Sequence, residues 1–131
     1  MKILLDTHAW LWMLLEPERI GPKTRKLVAS HDHAFFLSIA SAWEMAIKHA
    51  AGRLTLPVPP LDYVRSRTRE DGIALLPVSL EHVCRAAELP RHHADPFDRL
   101  LVAQTEIEDL VLLTHDTDIA RYRITIRDPS A

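Results

Sequence analysis

Five short apolar runs, separated by segments with helical periodicity, constrain the fold of this chain more than any other feature. The runs occupy residues 3–5, 34–37, 73–76 and 110–113, with a fifth candidate at 124–126. Runs of this length are typical of strands that are buried on both faces of a parallel sheet. Strands that alternate with helices predict an α/β domain with a central, mainly parallel sheet.

The segments between the runs carry apolar stripes at helical spacing. Within residues 38–51 the stripe ends before Gly52, a residue typical of helix C-termini. A second stripe follows Ser79, a predicted N-cap. Its members are Leu80, Val83, Cys84 and Ala87. This stripe places Cys84 in the core, and a third predicted helix contains the stripe that begins at Phe97.

Length and composition predict one globular domain spanning residues 1–131. Hydrophobic residues make up 47% and charged residues 26%, as in an ordinary folded protein. The single cysteine excludes an internal disulfide and favours a reducing, cytoplasmic location. We expect no targeting segment, because Asp6 interrupts the N-terminal apolar run, and no membrane span, because every run is too short.

The net charge of −2, with histidines neutral, argues mildly against nonspecific nucleic-acid binding. That balance changes if several acids hold divalent cations, because the cations neutralise them. The basic residues also occur in groups, at 23–26 and 65–69, for which solvated helix faces are the simpler interpretation.

Four acids occupy positions from which they can reach one edge of the predicted sheet. Asp6 directly follows the first strand, and Asp116 follows the fourth. Glu44 lies on the helix after the second strand, and Asp95 opens a later helix. Ligands of open parallel sheets bind beyond the carboxyl ends of the strands. We therefore expect these four acids to form one site.

Each acid also has a purely structural interpretation. Asp6 and Asp95 suit helix N-caps, and Asp116 suits a turn. Glu44 can pair with Lys48 one turn later, although the adjacent apolar stripe predicts that Glu44 is partly shielded. It is the convergence of all four on one sheet edge that favours a site.

Clustered carboxylates repel one another, and their pKa values rise unless a cation enters. Sites made only of oxygen ligands suit Mg²⁺ or Mn²⁺. Such ions lower the pKa of a bound water and stabilise the charge that grows on a phosphodiester. The predicted site therefore favours hydrolysis of a phosphate ester.

Four stretches of the chain together form a specific pattern. They are residues 4–12 (LLDTHAWLW), 38–48 (SIASAWEMAIK), 92–104 (HHADPFDRLLVAQ) and 112–116 (LLTHD). The set spans nearly the whole chain and resembles the PIN-domain ribonucleases. Within that family it is similar to the VapC-like toxins of bacterial toxin–antitoxin modules.

The resemblance implies a three-layer α/β/α fold and an endoribonuclease that depends on Mg²⁺ or Mn²⁺. The residues that match the family's catalytic, metal-binding acids are Asp6, Glu44, Asp95 and Asp116. Asp98 matches a further acid close to the metal. Residues 117–119 replace the usual proline-containing turn, so either Asp116 or Asp118 can face the metal, and we favour Asp116 because it is nearer to the strand end.

Three further residues are candidate contacts to the RNA substrate. Thr7 and Thr114 match small polar residues beside the family's site. Arg99 can contact a phosphate or pair with a site carboxylate. The neighbouring His92 and His93 lie next to Asp95 and can contact a phosphate, although ordinary loop residues are the favoured interpretation. No zinc-binding spacing accompanies them.

A VapC-like protein implies a cognate antitoxin, because an uninhibited ribonuclease is toxic to its own cell. Apolar groups lie on more than one face of the first helix, at Trp10, Trp12, Met13 and Leu14. Surplus apolar surface of this kind predicts an interface, either for an antitoxin helix or for a homodimer.

Three other protein classes are alternatives for a chain with acids at these positions. A phosphoacceptor receiver domain needs a lysine after a late strand, but every lysine lies at or before Lys48. A haloacid-dehalogenase-like phosphatase needs an acid two places after Asp6, where this chain has His8. A catalytically inactive binding module on the same fold is the third alternative, and metal-dependent ribonuclease activity would distinguish it.

Overall fold

A sheet of five parallel strands forms the centre of the molecule. The computed structural model describes residues 1–131. The strands are β1 (Lys2–Leu5), β2 (Ala34–Ser38), β3 (Ala74–Leu76), β4 (Val111–Leu113) and β5 (Thr125–Arg127). All four neighbouring pairs are parallel, in the order β3-β2-β1-β4-β5. The predicted α/β domain with a central parallel sheet is confirmed.

Helices cover both faces of this sheet. They are α1 (Thr7–Leu15), α2 (Pro22–Ala29), α3 (Ile39–Ala50), α4 (Pro60–Glu70), α5 (Leu80–Glu88) and α6 (Pro96–Ile107), with short 3-10 helices at Pro17–Arg19 and Ile119–Arg121. The predicted stop after α3 is confirmed, because Gly52 adopts a left-handed φ of 73°. None of these helices is long and apolar enough to span a membrane.

Alternation along β1 divides the core into two halves, because successive strand residues face opposite sides of the sheet. Ile3 and Leu5 join a cluster with Trp10 of α1 and Met45 of α3. Leu4 joins a second cluster on the other face, built mainly from α5 and α6. The sheet is therefore the middle of three layers, as predicted.

The strand order creates a switch point between β1 and β4. The chain builds outward from β1 to β2 and β3, and then returns to place β4 on the other side of β1. Connections leave the carboxyl ends of these two strands in opposite directions, which opens a crevice there. The backbone amide of Asp6 donates to the carbonyl of Leu113 at 3.0 Å, so the two strand ends stay side by side beyond the regular pairing.

The edge strands depart from the prediction that every strand is buried on both faces. β1 contains three fully buried residues, but β3 and β5 are only partly covered. Leu75 of β3, for example, is 43% exposed. An edge strand has a neighbour on one side only, and both edge strands are three residues long.

The predicted core position of Cys84 is wrong. Cys84 is exposed, and Leu80 of the same stripe is 78% exposed. Helix α5 instead buries His82 and Ala86. The sequence of α5 carries small or apolar residues on two faces, and the ring of His82 selects the inner one because it accepts from the Ser79 amide and contacts Glu108.

Helix α1 exposes less apolar surface than predicted. Trp10 is fully buried, and Met13 and Leu14 pack against the core. Trp12 lies under the guanidinium of Arg19, at 3.9 Å from the ring centroid. The larger apolar groove lies between α3 and α4, where Trp43 is 63% exposed.

Candidate active site

Asp6, Thr114 and Asp116 form a connected group at the switch point between β1 and β4. Asp6 caps α1, as predicted from its position, and its Oδ1 accepts from the His8 amide. Its Oδ2 accepts a 2.6 Å hydrogen bond from Thr114 Oγ1. Thr114 Oγ1 in turn accepts from the backbone amide of Asp116 at 3.1 Å. One hydroxyl therefore links the acids that follow the two neighbouring strands.

Glu44 reaches this edge from α3 and is nearly buried, with 5% of the residue exposed. Its Oε2 pairs with Lys48 Nζ at 3.1 Å, so the ion pair expected from the sequence exists on a shielded acid. Its Oε1 is buried without a hydrogen-bond partner. A buried carboxylate oxygen without a donor is unfavourable unless a further positive group approaches it.

Asp95 and Asp98 enter the site from the first turn of α6. Asp95 is the N-cap, as predicted, and its Oδ1 accepts from the Phe97 amide at 2.8 Å. Asp98 is the third residue of the helix and is buried. Both carboxylates thus sit at the positive end of a helix dipole, which favours negative charge.

His93 lies between these carboxylates, although the sequence predicted an ordinary loop residue. Its Nε2 forms a 2.9 Å hydrogen bond with Asp116 Oδ2 and lies 3.2 Å from Asp98 Oδ2. The only signal in the sequence was its position two residues before Asp95. Because a loop brings His93 across to Asp116, 23 residues later, the pairing depends on the tertiary fold.

The second ring nitrogen determines what His93 can do. The backbone amide of Asp95 donates to His93 Nδ1 at 3.0 Å, so Nδ1 is an acceptor and Nε2 carries the hydrogen. A nitrogen that bears a hydrogen cannot bind a metal ion. The possible ligand atoms of His93, Asp98 and Asp116 lie within 4.8 Å of one another. In this tautomer, however, His93 does not act as a metal ligand and instead orients the two carboxylates.

Burial and mutual repulsion raise two pKa values in the cluster. Burial, reinforced by the charges of Asp6 and Asp95, raises the pKa of Asp98 to about 7. Burial also raises the pKa of Asp6, against the hydrogen bond from Thr114. Without a cation, Asp98 therefore keeps a proton for part of the time at neutral pH.

Asp116 behaves in the opposite way. Partial burial acts to raise its pKa, but the hydrogen bond from His93 and the amides of Ile119 and Asp118 hold the pKa below its usual range. For His93, burial acts to lower the pKa, but the hydrogen bond to Asp116 outweighs it and the pKa is raised.

The structure brings five acids together at the carboxyl ends of the central strands: Asp6, Glu44, Asp95, Asp98 and Asp116. Asp118, the alternative to Asp116, is exposed and uses its backbone amide to bind the Asp116 carboxylate. Thr7 is buried beside Asp6, and its hydroxyl has no hydrogen-bond partner.

Arg99 points away from the carboxylates. Its guanidinium donates to the carbonyls of Ala86, Leu89 and Pro90 at 2.8 to 3.0 Å. It thereby closes the C-terminal end of α5, where helix carbonyls lack partners. It forms no ion pair with a site acid.

Comparison with known proteins is consistent across sequence and structure. The chain matches the PIN domain family over residues 3–124. It is 40% identical over 60 residues to ribonuclease VapC16 of Mycobacterium tuberculosis. That match covers 46% of this chain and 41% of the relative. The matched segment is therefore less than half of the length of either protein.

Several solved structures share the fold. One is VapBC2 from Rickettsia felis bound to a promoter DNA fragment, with a TM-score of 0.72, 12% identity, and coverage of 97% of this chain and 98% of that one. Another is FitAcB from Neisseria gonorrhoeae, with a TM-score of 0.66, 19% identity and 97% coverage of both chains. A third is VapBC-1 from nontypeable Haemophilus influenzae, with a TM-score of 0.67, 16% identity and 100% coverage of both.

We expect the charge of Asp98 to destabilise the metal-free protein as the pH rises. Its folded-state pKa of about 7 exceeds the ordinary 3.8, so the folded protein binds more protons than the unfolded chain between these values, and stability falls across that window. Asp98→Asn removes this charge, so its free energy of unfolding should rise relative to that of wild type as the pH increases. The difference between variant and wild type should be about 2 kcal/mol larger at about pH 8 than at about pH 5.

Urea denaturation in EDTA at both pH values measures this difference. Asp118→Asn, which removes an exposed carboxylate nearby, is the matched control and should show little change. A gain for Asp98→Asn that is independent of pH would contradict the raised pKa.

We also expect His93→Ala to lower the free energy of unfolding in metal-free buffer by roughly 1.5–3 kcal/mol. The substitution removes the donor to Asp116 and the acceptor of the Asp95 amide. His93→Gln keeps a donor on a side chain of similar length and should recover part of the loss. The control is His92→Ala, because His92 packs on Tyr122 instead of the acids. Equal losses for the two alanine variants would refute a role specific to His93.

Proposed function

Because the chain belongs to the PIN-domain family, we propose that it is an endoribonuclease that hydrolyses RNA phosphodiester bonds with Mg²⁺ or Mn²⁺. The observation that carries this proposal is the cluster of acids at the switch point, in which Glu44 Oε1 is buried without a partner. Like-charged carboxylates in a shielded crevice are stable together only with added positive charge.

The donor set fits a hard divalent cation. Five acids offer only oxygen atoms, which Mg²⁺ and Mn²⁺ prefer, and the residues that would hold the ion are Asp6, Glu44, Asp95, Asp98 and Asp116. When bound, such an ion activates a water molecule and stabilises the charge that develops on the phosphate.

The surrounding residues prepare the acids for this role. Thr114 holds Asp6 Oδ2, and the amides of Asp118 and Ile119 hold Asp116 Oδ1. These contacts orient the ligands without adding net charge, as residues around metal ligands commonly do. In this proposal Thr7 and Thr114 also lie beside the substrate site, as the buried neighbours of Asp6 and Asp116.

We further propose that the chain is the toxin of a toxin–antitoxin pair and acts in the cytoplasm. The similarity to ribonuclease VapC16 and to the VapBC structures supports this role. The apolar groove between α3 and α4, which includes Trp43 and Leu61, offers a surface for an antitoxin helix or for a second copy in a homodimer.

We expect purified protein to cleave RNA only when Mg²⁺ or Mn²⁺ is present. Asp6→Asn should slow cleavage by more than about a hundredfold, because a neutral amide binds a cation less well. The assay follows new RNA ends in total bacterial RNA, with and without EDTA. Asp32→Asn, at an exposed acid before β2, is the matched control. Undiminished cleavage in excess EDTA would exclude the metal mechanism, and no cleavage with either ion would favour an inactive binding module.

We expect co-expression with the adjacent short reading frame to give a stable complex that lacks nuclease activity. Overproduction of the chain alone should arrest growth, whereas the Asp6→Asn variant should be tolerated. Copurification and a growth assay measure the two outcomes. A chain that is harmless when overproduced, and that binds no neighbour-encoded protein, would rule out the toxin role while leaving the fold assignment intact.

A further inference from the structure

We propose that a basic cleft beside the carboxylate cluster binds the RNA backbone next to the bond that is cut. The cleft has a volume of about 760 Å³, and its polar lining consists of Arg91, His92, His93, Arg99, Asp118 and Arg121. This inference rests on the proposed ribonuclease function, which does not itself identify where the flanking phosphates bind.

The basic cleft is continuous with the acids through His93. The residue lines the cleft and contacts both Asp98 and Asp116. Asp118 provides a second connection, because it lines the cleft and its amide binds the Asp116 carboxylate. An RNA strand that lies in the cleft can therefore present its next phosphodiester bond to the carboxylate cluster.

The arginines of the cleft form no ion pair, and Asp118 is the single carboxylate in its lining. Arg91 and Arg121 are exposed, and their guanidinium groups form no hydrogen bond or ion pair with other residues. Nearby Arg85 differs, because its guanidinium forms a two-point ion pair with Glu106 at 2.7 and 3.2 Å. Free guanidinium groups are the side chains best suited to phosphate oxygens.

Arg99 adds charge to the cleft without adding free donors. All the acceptors of its guanidinium are carbonyl oxygens and the Tyr122 hydroxyl, which carry no formal charge. No carboxylate therefore cancels its positive charge in the wall of the cleft. Arg99 attracts phosphate through this field, whereas Arg91 and Arg121 are free to contact it directly.

The basic surface extends beyond this cleft. A second cleft shares His92 and Arg121 as walls and adds Arg123, which is exposed and also without an ion-pair partner. Arg121 therefore belongs to both clefts, and Arg123 extends the basic surface into the second. Successive positive groups along a groove match the repeating phosphates of a nucleic-acid strand.

This arrangement explains how a chain with a net charge of −2 attracts a polyanion. Negative charge is concentrated at the cluster, where a cation compensates it, and positive charge is concentrated in the adjoining cleft. An acidic protein segment is the other candidate occupant. RNA is favoured because the cleft leads to a site for phosphodiester chemistry and because only two of its nine lining residues are hydrophobic.

The test measures binding of a short fluorescein-labelled single-stranded RNA of mixed sequence by fluorescence anisotropy. The protein carries Asp6→Asn and is kept in Mg²⁺, so that the RNA stays intact. Adding Arg91→Gln and Arg121→Gln should weaken binding by about tenfold at low salt. The slope of log Kd against log salt should fall by about 1.4, since each lost phosphate contact removes roughly 0.7 for a single strand.

The matched control carries Arg53→Gln and Arg69→Gln, which remove the same charge from exposed arginines. Arg53 follows the C-terminal end of α3, and Arg69 lies in the last turn of α4. These two helices pack on the face of the sheet opposite α5 and α6. The control should leave both Kd and the salt slope unchanged. Equal weakening by the two double variants would overturn the proposal, because it would reflect net charge alone.

A second readout separates this inference from the proposed function. In the active protein, Arg91→Gln with Arg121→Gln should raise KM for RNA cleavage and leave kcat nearly unchanged. Full RNA binding and an unchanged KM in that variant would overturn the cleft assignment while the ribonuclease function stands. Loss of a copurifying protein with RNA binding intact would likewise overturn it, in favour of an acidic protein partner. Weakened binding by a chain that cleaves no RNA would support the cleft and refute the catalytic proposal.

Discussion

Repulsion among shielded carboxylates at the junction of β1 and β4 is the constraint on which the rest of the structure depends. The strand order places the carboxyl ends of these neighbours side by side, and the chain departs from them in opposite directions. Asp6 and Asp116 follow these ends, while α3 and the start of α6 add three further acids. The fold thus concentrates negative charge at this junction, and it buries three of the acids, Asp6, Glu44 and Asp98.

Different neighbours compensate each part of that charge. Thr114 and backbone amides hold Asp6 and Asp116, and Lys48 pairs with one oxygen of Glu44. His93 donates to Asp116 beside Asp98, whose pKa rises to about 7. These contacts are incomplete, because the second oxygen of Glu44 has no donor. In the proposed function, a bound divalent cation would supply the missing positive charge.

The fold also gathers positive charge in one place, the basic cleft. Arg99 closes α5 through neutral carbonyls, so one side chain both stabilises the fold and leaves its charge in the wall of the basic cleft. Arg91 and Arg121 remain free at the same cleft. The net charge calculated from the sequence does not show this separation, because it adds together residues that the fold places in different regions.

Local patterns were sufficient for the α/β fold and for several features near the site. Parallel strands buried on both faces need continuous apolar runs, and the N-caps at Asp6 and Asp95 depend only on adjacent residues. Those positions, with Glu44 and Asp116, follow from the rule that sites form beyond strand ends. The burial of β3 and β5 was overestimated, because sequence alone does not tell which strands are at the edges.

Only the tertiary structure decided the remaining roles. His93 joins the acids because the loop between α5 and α6 brings it to Asp116, and no local spacing encodes that contact. Arg99 turns to α5, and Cys84 faces solvent because packing of His82 and Ala86 selects the opposite side of the helix. The sequence by itself determined which segments are strands and helices, since these follow from short-range periodicity. Which side chains meet was decided by packing between segments far apart in the chain.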